Sequence, residues 1–293
     1  MFYNEHRIKI ITINENGKGI SVYCAGIVTY NPDITRLVEN INAIYNQVDN
    51  VIIVDNNSKN IAEIEQIVLN YLHICLIKSK CNEGIATALN KMMKKAKELH
   101  YTWCLTLDQD SIVPENIIED FSKYVNIDVG IISPLIDYHN NEDLKLSNTF
   151  DKIDRCITSA SLTNVNAWEK IGGFDDKMFI DYVDYDFCKR LKMNNYSILR
   201  SNAVIINHSL GNVEKKHFLK KEISIYNHNY MRTFYFSRNF IYYIRKNCTV
   251  KEGLMEIKYT YRWFLIKIIF EKHRLKKLHV ILKGFYNGFK MKI

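Results

Sequence analysis

Between residues 25 and 111 the chain alternates short apolar runs with longer stretches of helical period, and the first, second and fourth runs stop at a cluster of polar residues. Ala25 to Tyr30 is closed by Asn31-Pro32, and Val51 to Val54 by Asp55-Asn56-Asn57-Ser58. His73 to Ile77 is a third run, and Trp103 to Leu107 a fourth, leading into Asp108-Gln109-Asp110-Ser111. An unbroken apolar run, rather than an alternating one, is the signature of a strand covered on both faces inside a parallel sheet. Between the runs, Leu37, Ile41, Ile44, Tyr45 and Val48 recur at helical spacing, a second helix spans about 60–72, and Ile85, Ala88, Leu89, Met92, Met93 and Ala96 share one face of a third. The alternation predicts an α/β fold, an open and mainly parallel sheet with helices on both faces. In such sheets ligands bind beyond the carboxyl ends of the strands, where the polar clusters fall.

The flanks read differently. Residues 1–21 suggest a polar strand pair, with Ile8, Ile10 and Ile11 ahead of a turn at Asn16-Gly17. After residue 125 the pattern loosens into shorter strands and one helix near 184–193, an acceptor-side half of the same domain. Beyond Asn247 a helical tail places Leu254, Ile257, Tyr261, Phe264, Leu265 and Ile268 on one stripe. The expected organisation is a strand pair over 1–21, a domain over 22–246 and a basic amphipathic tail over 247–293. The tail also concentrates the charge. Residues 251–293 hold 11 Lys and Arg against 3 Asp and Glu, which is the whole +8 of the chain, so the remainder is neutral. Such confinement points to a local anionic partner such as a membrane surface, not to nucleic acid. The longest apolar stretch, Trp263 to Phe270, is interrupted by Lys267 and is too short to span a bilayer. The 7 cysteines are odd in number and spaced neither as a zinc knuckle nor as a redox pair. With no basic-then-apolar N-terminal signal, the expectation is a reduced, cytoplasmic compartment, peripheral on the inner face of the cytoplasmic membrane.

No Gly-x-Gly-x-x-Gly follows the first strand and no Walker-type loop occurs, which disfavours a dinucleotide fold and a P-loop kinase. Thr29-Tyr30-Asn31 and Asp55-Asn56-Asn57-Ser58 offer amides and a carboxylate to a uracil or thymine edge and a ribose. The same residue types also cap helices, and the residues alone leave both uses open. Asp108-Gln109-Asp110 sets two carboxylates one residue apart at a strand end, able to share a hard divalent cation that neutralises a diphosphate leaving group. As a bare pattern it is common in solvated turns; its place after the fourth strand makes it informative. A second acidic cluster, Asp181-Tyr182-Val183-Asp184-Tyr185-Asp186, is flanked by aromatics. Either its charges match the positive end of a helix whose apolar face is Phe187, Cys188 and Leu191, or one carboxylate is a general base for an acceptor hydroxyl. His208, in Asn207-His208-Ser209-Leu210-Gly211, is open to a structural place, a metal or a phosphate.

Taken in order, several segments resemble the family 2 inverting glycosyltransferases of GT-A fold, and within them the rhamnosyltransferases of bacterial polysaccharide assembly. They are Ile27-Val28-Thr29-Tyr30-Asn31-Pro32, Val54-Asp55-Asn56-Asn57-Ser58, Asn82-Glu83-Gly84-Ile85-Ala86, Leu107-Asp108-Gln109-Asp110-Ser111, Gly172-Gly173-Phe174-Asp175, Phe179-Ile180-Asp181-Tyr182-Val183-Asp184 and His208-Ser209-Leu210-Gly211. The resemblance covers about 22–246 and includes a late Arg238-Asn239 pair; 1–21 and the basic tail have no counterpart. It implies that Thr29, Asn31, Asp55 and Asn57 hold the nucleoside, that Asn82 and Gly84 approach the diphosphate, and that Asp108 contributes to donor binding. Asp108 and Asp110 match the family's pair for Mg2+ or Mn2+, with His208 near the metal. The family's Glu-Asp base motif falls on Val183-Asp184, so Asp184 takes the base role and Asp181 or Asp186 is left to support it. The implied partners are a nucleotide-sugar donor, with dTDP-rhamnose favoured, and a glycan or lipid-linked glycan acceptor, a homo-oligomer being left open. A nucleotidyltransferase would need a glycine-rich basic loop where Asn31-Pro32-Asp33 stands. Two alternatives stay beside the main reading: the same fold with a UDP-sugar donor, and a non-catalytic sugar-binding subunit of an assembly complex. Joint retention of Asp108, Asp110 and Asp184 argues against the second.

Overall fold

A computed structural model describes residues 11–13, 19–21, 23–137, 146–207, 214–218 and 221–293. Two short strands come first, β1 (Ile11–Ile13) and β2 (Gly19–Ser21), paired antiparallel; the turn expected at Asn16-Gly17 lies outside the described residues. The alternating region follows as β3 (Tyr23–Thr29), α1 (Ile34–Tyr45), β4 (Val51–Asp55), α2 (Ile61–Val68), β5 (Ile74–Lys78), α3 (Ile85–Glu98) and β6 (Trp103–Asp108). Next come α4 (Ile117–Ser122), β7 (Val129–Asp137), β8 (Phe150–Lys152), β9 (Ser161–Asn164), α5 (Val165–Lys170), α6 (Val183–Met193) and β10 (Ser197–Asn207). A hairpin of β11 (Glu214–Phe218) and β12 (Lys221–Ile225) precedes three helices, α7 (Tyr230–Asn247), α8 (Val250–Ile269) and α9 (Arg274–Lys290).

Eight strands form one sheet in the order β5-β4-β3-β6-β9-β7-β10-β8. The pairs β5–β4, β4–β3, β3–β6 and β7–β10 are parallel, while β9 and the edge strand β8 run antiparallel to their neighbours. Every residue of β3 and β4 is buried, as the unbroken apolar runs require. Alternate strand residues face opposite ways. Ala25, Ile27, Val51, Ile53, Leu105 and Leu107 join Leu37, Ile41 and Ile44 of α1, Ile64 of α2 and Phe121 of α4 in one core. On the other side α3 closes on the sheet at Gly26, where any β-carbon would run into the Met92 thioether. The polar residue Asn40 lies on the buried face of α1, an anomaly that the site explains.

The chain divides into two compact units: Met1–Asp176 with Phe187–His208, which holds the eight-stranded sheet, and Lys177–Asp186 with Ser209–Ile293. This division differs from a domain over 22–246 followed by a tail, because α7, not read from the sequence, clusters with the tail helices and with the segment 177–186. In the second unit α9 lies directly on α7. A β-carbon at Gly284 would stand 2.6 Å from Ser237 Cβ and 2.9 Å from the Phe234 carbonyl, so only glycine permits that approach. A capping box between Thr249 and Glu252 starts α8.

The apolar stripe expected of the tail is split. Trp263 stacks on Phe236 at 3.8 Å, and Phe264 packs between Phe240 at 5.5 Å and Phe285 at 5.0 Å. Leu254, Ile257, Tyr261 and Leu265 stay exposed, as do Tyr259, Tyr286 and Phe289. The long rings turn inward because α7 and α9 offer aromatic partners that the helical period alone does not reveal. Among the described residues no helix is long and apolar enough to cross a membrane.

Candidate active site

The loops leaving β3, β4, β5 and β6 are bolted together by side-chain amides and hydroxyls. Thr29 donates to Asp55 Oδ1 at 2.9 Å, and the Ser58 amide donates to Asp55 Oδ2 at 2.9 Å. Asp55 is 1 % exposed, so both carboxylate oxygens work inside the protein and fix the strand ends. Asn31, with φ of 48°, receives Lys59 N–H on its side-chain oxygen at 2.8 Å, while its own amide donates to Ser58 Oγ at 2.8 Å. Asn57 sits exposed in the same loop with φ of 69°. Such left-handed backbone suits asparagine better than most residues.

A third loop is attached through Asn56. Its Nδ2 donates to Asn82 Oδ1 at 3.0 Å and to the Gly84 carbonyl at 3.2 Å, while its Oδ1 accepts from Glu83 N–H at 2.9 Å. Asn82 Oδ1 also takes the Gly84 amide at 3.0 Å. Gly84 has φ of 87° at the start of α3, a conformation that glycine reaches without strain. This puts Asn82 and Gly84 at the positive end of a 14-residue helix, a natural seat for phosphate. The neighbouring Glu83 is ion-paired to Lys91, whose hydrogen bond holds its carboxyl below the usual range.

The Asp108-Gln109-Asp110 turn is held by its backbone. Asn40 donates to the Asp108 carbonyl at 2.7 Å, Arg36 Nε donates to the Asp110 carbonyl at 3.0 Å, and Gln109 Oε1 accepts from Tyr30 N–H at 2.8 Å. Three bonds, two from α1 and one from the end of β3, therefore fix where the two carboxylates start, and Asp110 remains exposed. Among the described residues no group of three or more His, Cys, Asp or Glu forms a ready metal cage. Two carboxylates one residue apart are hard oxygen donors of the kind divalent cations take. His208 lies outside the described residues.

Behind these loops, Asn90 of α3 holds the Gly172-Gly173-Phe174 turn. Its Oδ1 accepts from Trp168 Nε1 at 2.9 Å and from Phe174 N–H at 2.8 Å, and its Nδ2 donates to Asp176 at 2.6 Å.

Within the second unit, the segment 177–186 is gripped by α7. Arg232 donates to Asp181 Oδ1 from Nε at 3.3 Å and from Nη2 at 3.2 Å. Asn239 Nδ2 donates to the carbonyls of Ile180 and Asp181 at 2.8 and 2.9 Å, and Arg238 Nη2 donates to the Lys177 carbonyl at 2.5 Å. Phe179 stacks on Tyr235 at 4.8 Å. Asp181 and Tyr182 have φ of 64° and 65°, a left-handed pair of non-glycine residues that persists only where surroundings enforce it. The side chain of Asp181 is 13 % exposed, and burial raises its carboxyl against the opposing charge of Arg232. Asp186 is fully buried and accepts from Lys246 Nζ and Asn247 Nδ2, each at 2.8 Å. Asp184 is half-buried in the first turn of α6.

The structure thus gathers Thr29, Asn31, Asp55, Asn82 and Gly84 into one hydrogen-bonded network, puts Asn57 on its rim, and ties the Asp108–Asp110 turn to it through Tyr30. Asn56 reads from the sequence only as one amide of the run Asp55-Asn56-Asn57-Ser58, and nothing there marks Gln109 or Arg36 as site residues. Asn40 and Asn90 carried a signal, each being polar within an apolar helical face.

The pattern of Glycosyl transferase family 2 matches residues 24–201, and the chain belongs to that family. It is therefore a glycosyltransferase of GT-A fold. More particularly, it is 29% identical over 252 residues to the dTDP-rhamnosyl transferase RfbF of Shigella flexneri, across 76% of this chain and 80% of the relative. Among solved structures, TarS 1–349 of S. aureus matches with a TM-score of 0.58 at 12% identity, covering 91% of this chain and 80% of that one. GalNAc-T7, solved with UDP, GalNAc and Mn2+, matches with a TM-score of 0.55 at 10% identity, over 94% of this chain and 57% of that one. At these identities both likenesses speak for the fold.

Proposed function

We propose that the protein is an inverting glycosyltransferase that moves L-rhamnose from dTDP-rhamnose onto a bacterial surface polysaccharide or a lipid-linked glycan. The observation that carries the reading is the Asp108-Gln109-Asp110 turn, pinned by Asn40, Arg36 and Tyr30 to the loops that bear Thr29, Asn31 and Asn57. The thymidine donor is supported by the similarity to a dTDP-rhamnosyl transferase over most of both chains.

Asn31 and Asn57 offer amides to the base and ribose above a floor in which Thr29 orients Asp55. Asn82 and Gly84 receive the diphosphate at the start of α3. Asp108 and Asp110 would hold Mg2+ or Mn2+, with His208 as a further ligand on the strength of the family resemblance; the cation supplies charge neutralisation to the leaving diphosphate. Asp184 takes the proton from the acceptor hydroxyl as the new oxygen–carbon bond forms at the anomeric centre. The bond to the diphosphate oxygen breaks with its electron pair, and the centre inverts. Assignment within the acidic cluster is supported by the duties of its neighbours: Asp186 is fully buried against Lys246 and Asn247, and Asp181 is committed to Arg232. Asp181 then supports the base by keeping the left-handed turn that precedes it. The catalytic region is 22–246, with peripheral attachment of residues 251–293 to the inner face of the cytoplasmic membrane.

A thermal-shift panel of nucleotide sugars, with and without Mn2+ or Mg2+, tests the donor. Stabilisation by thymidine-linked sugars and dependence on the metal are expected. Stabilisation by uridine-diphosphate sugars alone would overturn the rhamnose reading.

A further inference from the structure

Two helices of the second unit each leave one apolar row open to solvent, and each row is edged by cations alone. On α8, Val250, Leu254, Ile257, Tyr261 and Leu265 follow one another at intervals of three or four residues and so share a face. All are exposed, Val250 to 85% and Leu254 to 63%. Lys251, Lys258 and Arg262 are exposed beside them, whereas Glu252 is engaged in the Thr249 cap and Glu256 is half-buried. The inward side of α8 is occupied by Trp263 against Phe236, Phe264 against Phe285, and Lys267, which is 1 % exposed and bonded to Glu271. On α9, Leu275, Leu282, Tyr286 and Phe289 form the open row, with Lys276, Lys283 and Lys290 exposed along it. This helix contains no acidic residue, and its inward side is Lys277, Ile281, Gly284 and Gly288.

Rows of large exposed apolar side chains on a folded protein mark interaction surfaces. What covers these is decided by their edges. A second copy would set lysines against lysines, because both rows carry the same sign. An anionic bilayer offers apolar depth for the row and negative headgroups for its flank at once. Tyrosines suit the headgroup level, and here Lys290 Nζ lies 4.3 Å from the Tyr286 ring centroid while Arg262 donates to Tyr261 Oη at 3.3 Å. We infer that α8 and α9 lie against an anionic lipid bilayer through the rows Val250–Leu265 and Leu275–Phe289. This rests on the reading of the tail as membrane-attached and assigns the surfaces that do it; Trp263, Phe264 and Phe285 hold the helices together instead.

The test is sedimentation of the full chain with phosphatidylcholine vesicles that contain or lack phosphatidylglycerol. The full chain should bind the anionic vesicles and be released by salt. Leu254→Glu with Ile257→Glu, and separately Leu282→Glu with Tyr286→Glu, should each lower the bound fraction at least tenfold. Lys276→Gln, Lys283→Gln and Lys290→Gln together should lower partitioning by about a hundredfold. Thermal melts and dTDP affinity should stay as in the unaltered chain, since every altered side chain is exposed on the tail. A full chain that ignores anionic vesicles overturns both the tail reading and the surfaces. Loss of binding in the lysine variant with full binding in both row variants leaves the tail reading standing and overturns the rows. Lipid-free dimers that the row variants abolish, without vesicle binding, assign the rows to a second copy and overturn the inference.

Discussion

The loops at the carboxyl ends of β3 to β6 and the segment 177–186 are both held rigidly, by opposite means. The first group is tied mostly by amides and hydroxyls, joined by the buried Asp55 carboxylate and by Arg36 and Asn40 of α1. The segment is tied mainly by ion pairs, Arg232 on Asp181 and Lys246 on Asp186. It also keeps two successive left-handed residues, each costing on the order of 1–3 kcal/mol. Under the proposed function, loops held mostly by neutral bonds would be ready before the donor arrives. A segment made of buried charges holds one shape only while every partner is present, and under the proposed function that shape would present Asp184.

The largest effect is expected for Asp110→Ala: transfer should fall below detection, and the metal-dependent gain in dTDP affinity should vanish in calorimetry. The melting temperature should not move, because the side chain is exposed. Asp186→Ala should be the most destabilising change in the second unit, by about 3–5 kcal/mol in urea unfolding, since it strands the Lys246 ammonium against an unpaired buried site. Donor affinity should survive it. Asn56→Ala, which removes three bonds among neutral groups, should cost about 2–3 kcal/mol and weaken donor binding as well. Equal losses of donor affinity in the Asp186 and Asn56 variants would erase the contrast.

The smallest effect concerns pH. Burial pushes the His228 imidazole down to about 3, reinforced by Lys267, Arg232 and Lys277 and opposed by Glu271. Between its ordinary value near 6.5 and about 3, the unfolded chain takes up a proton that the folded chain refuses, so this group removes stability as pH falls through that window. The raised carboxyl of Asp181 acts the other way, taking its proton earlier in the folded chain. Melting curves of His228→Gln against the unaltered chain isolate the histidine: the variant should lose less stability on acidification below 6.5.

The strand–helix alternation was legible because parallel strands buried on both faces need unbroken apolar runs, and Val51 to Val54 is such a run. Asp108-Gln109-Asp110 was legible from its place after the fourth run. What escaped was mostly tertiary. The bond from Asn40 to the Asp108 carbonyl spans 68 residues, and only a polar residue on an apolar helical face hinted at it. Gln109 looked like a spacer between two carboxylates, yet its side chain reaches Tyr30. In the tail, helical period grouped Phe264 with Leu265, but the rings of Phe240 and Phe285 draw Phe264 inward and leave Leu265 outside. Periodicity identifies an apolar face without saying whether protein covers it.

The central claim is that donor binding belongs to the sheet loops and proton abstraction to Asp184. Its most direct test is Asp184→Asn, which keeps shape but cannot accept a proton at neutral pH, measured for dTDP-sugar affinity and for single-turnover transfer in the same preparation. The account predicts unchanged affinity and a transfer rate lower by about 10²–10⁴-fold. Near-normal transfer by this variant, with Asp181→Asn or Asp186→Asn the more damaging change at intact fold, would contradict it.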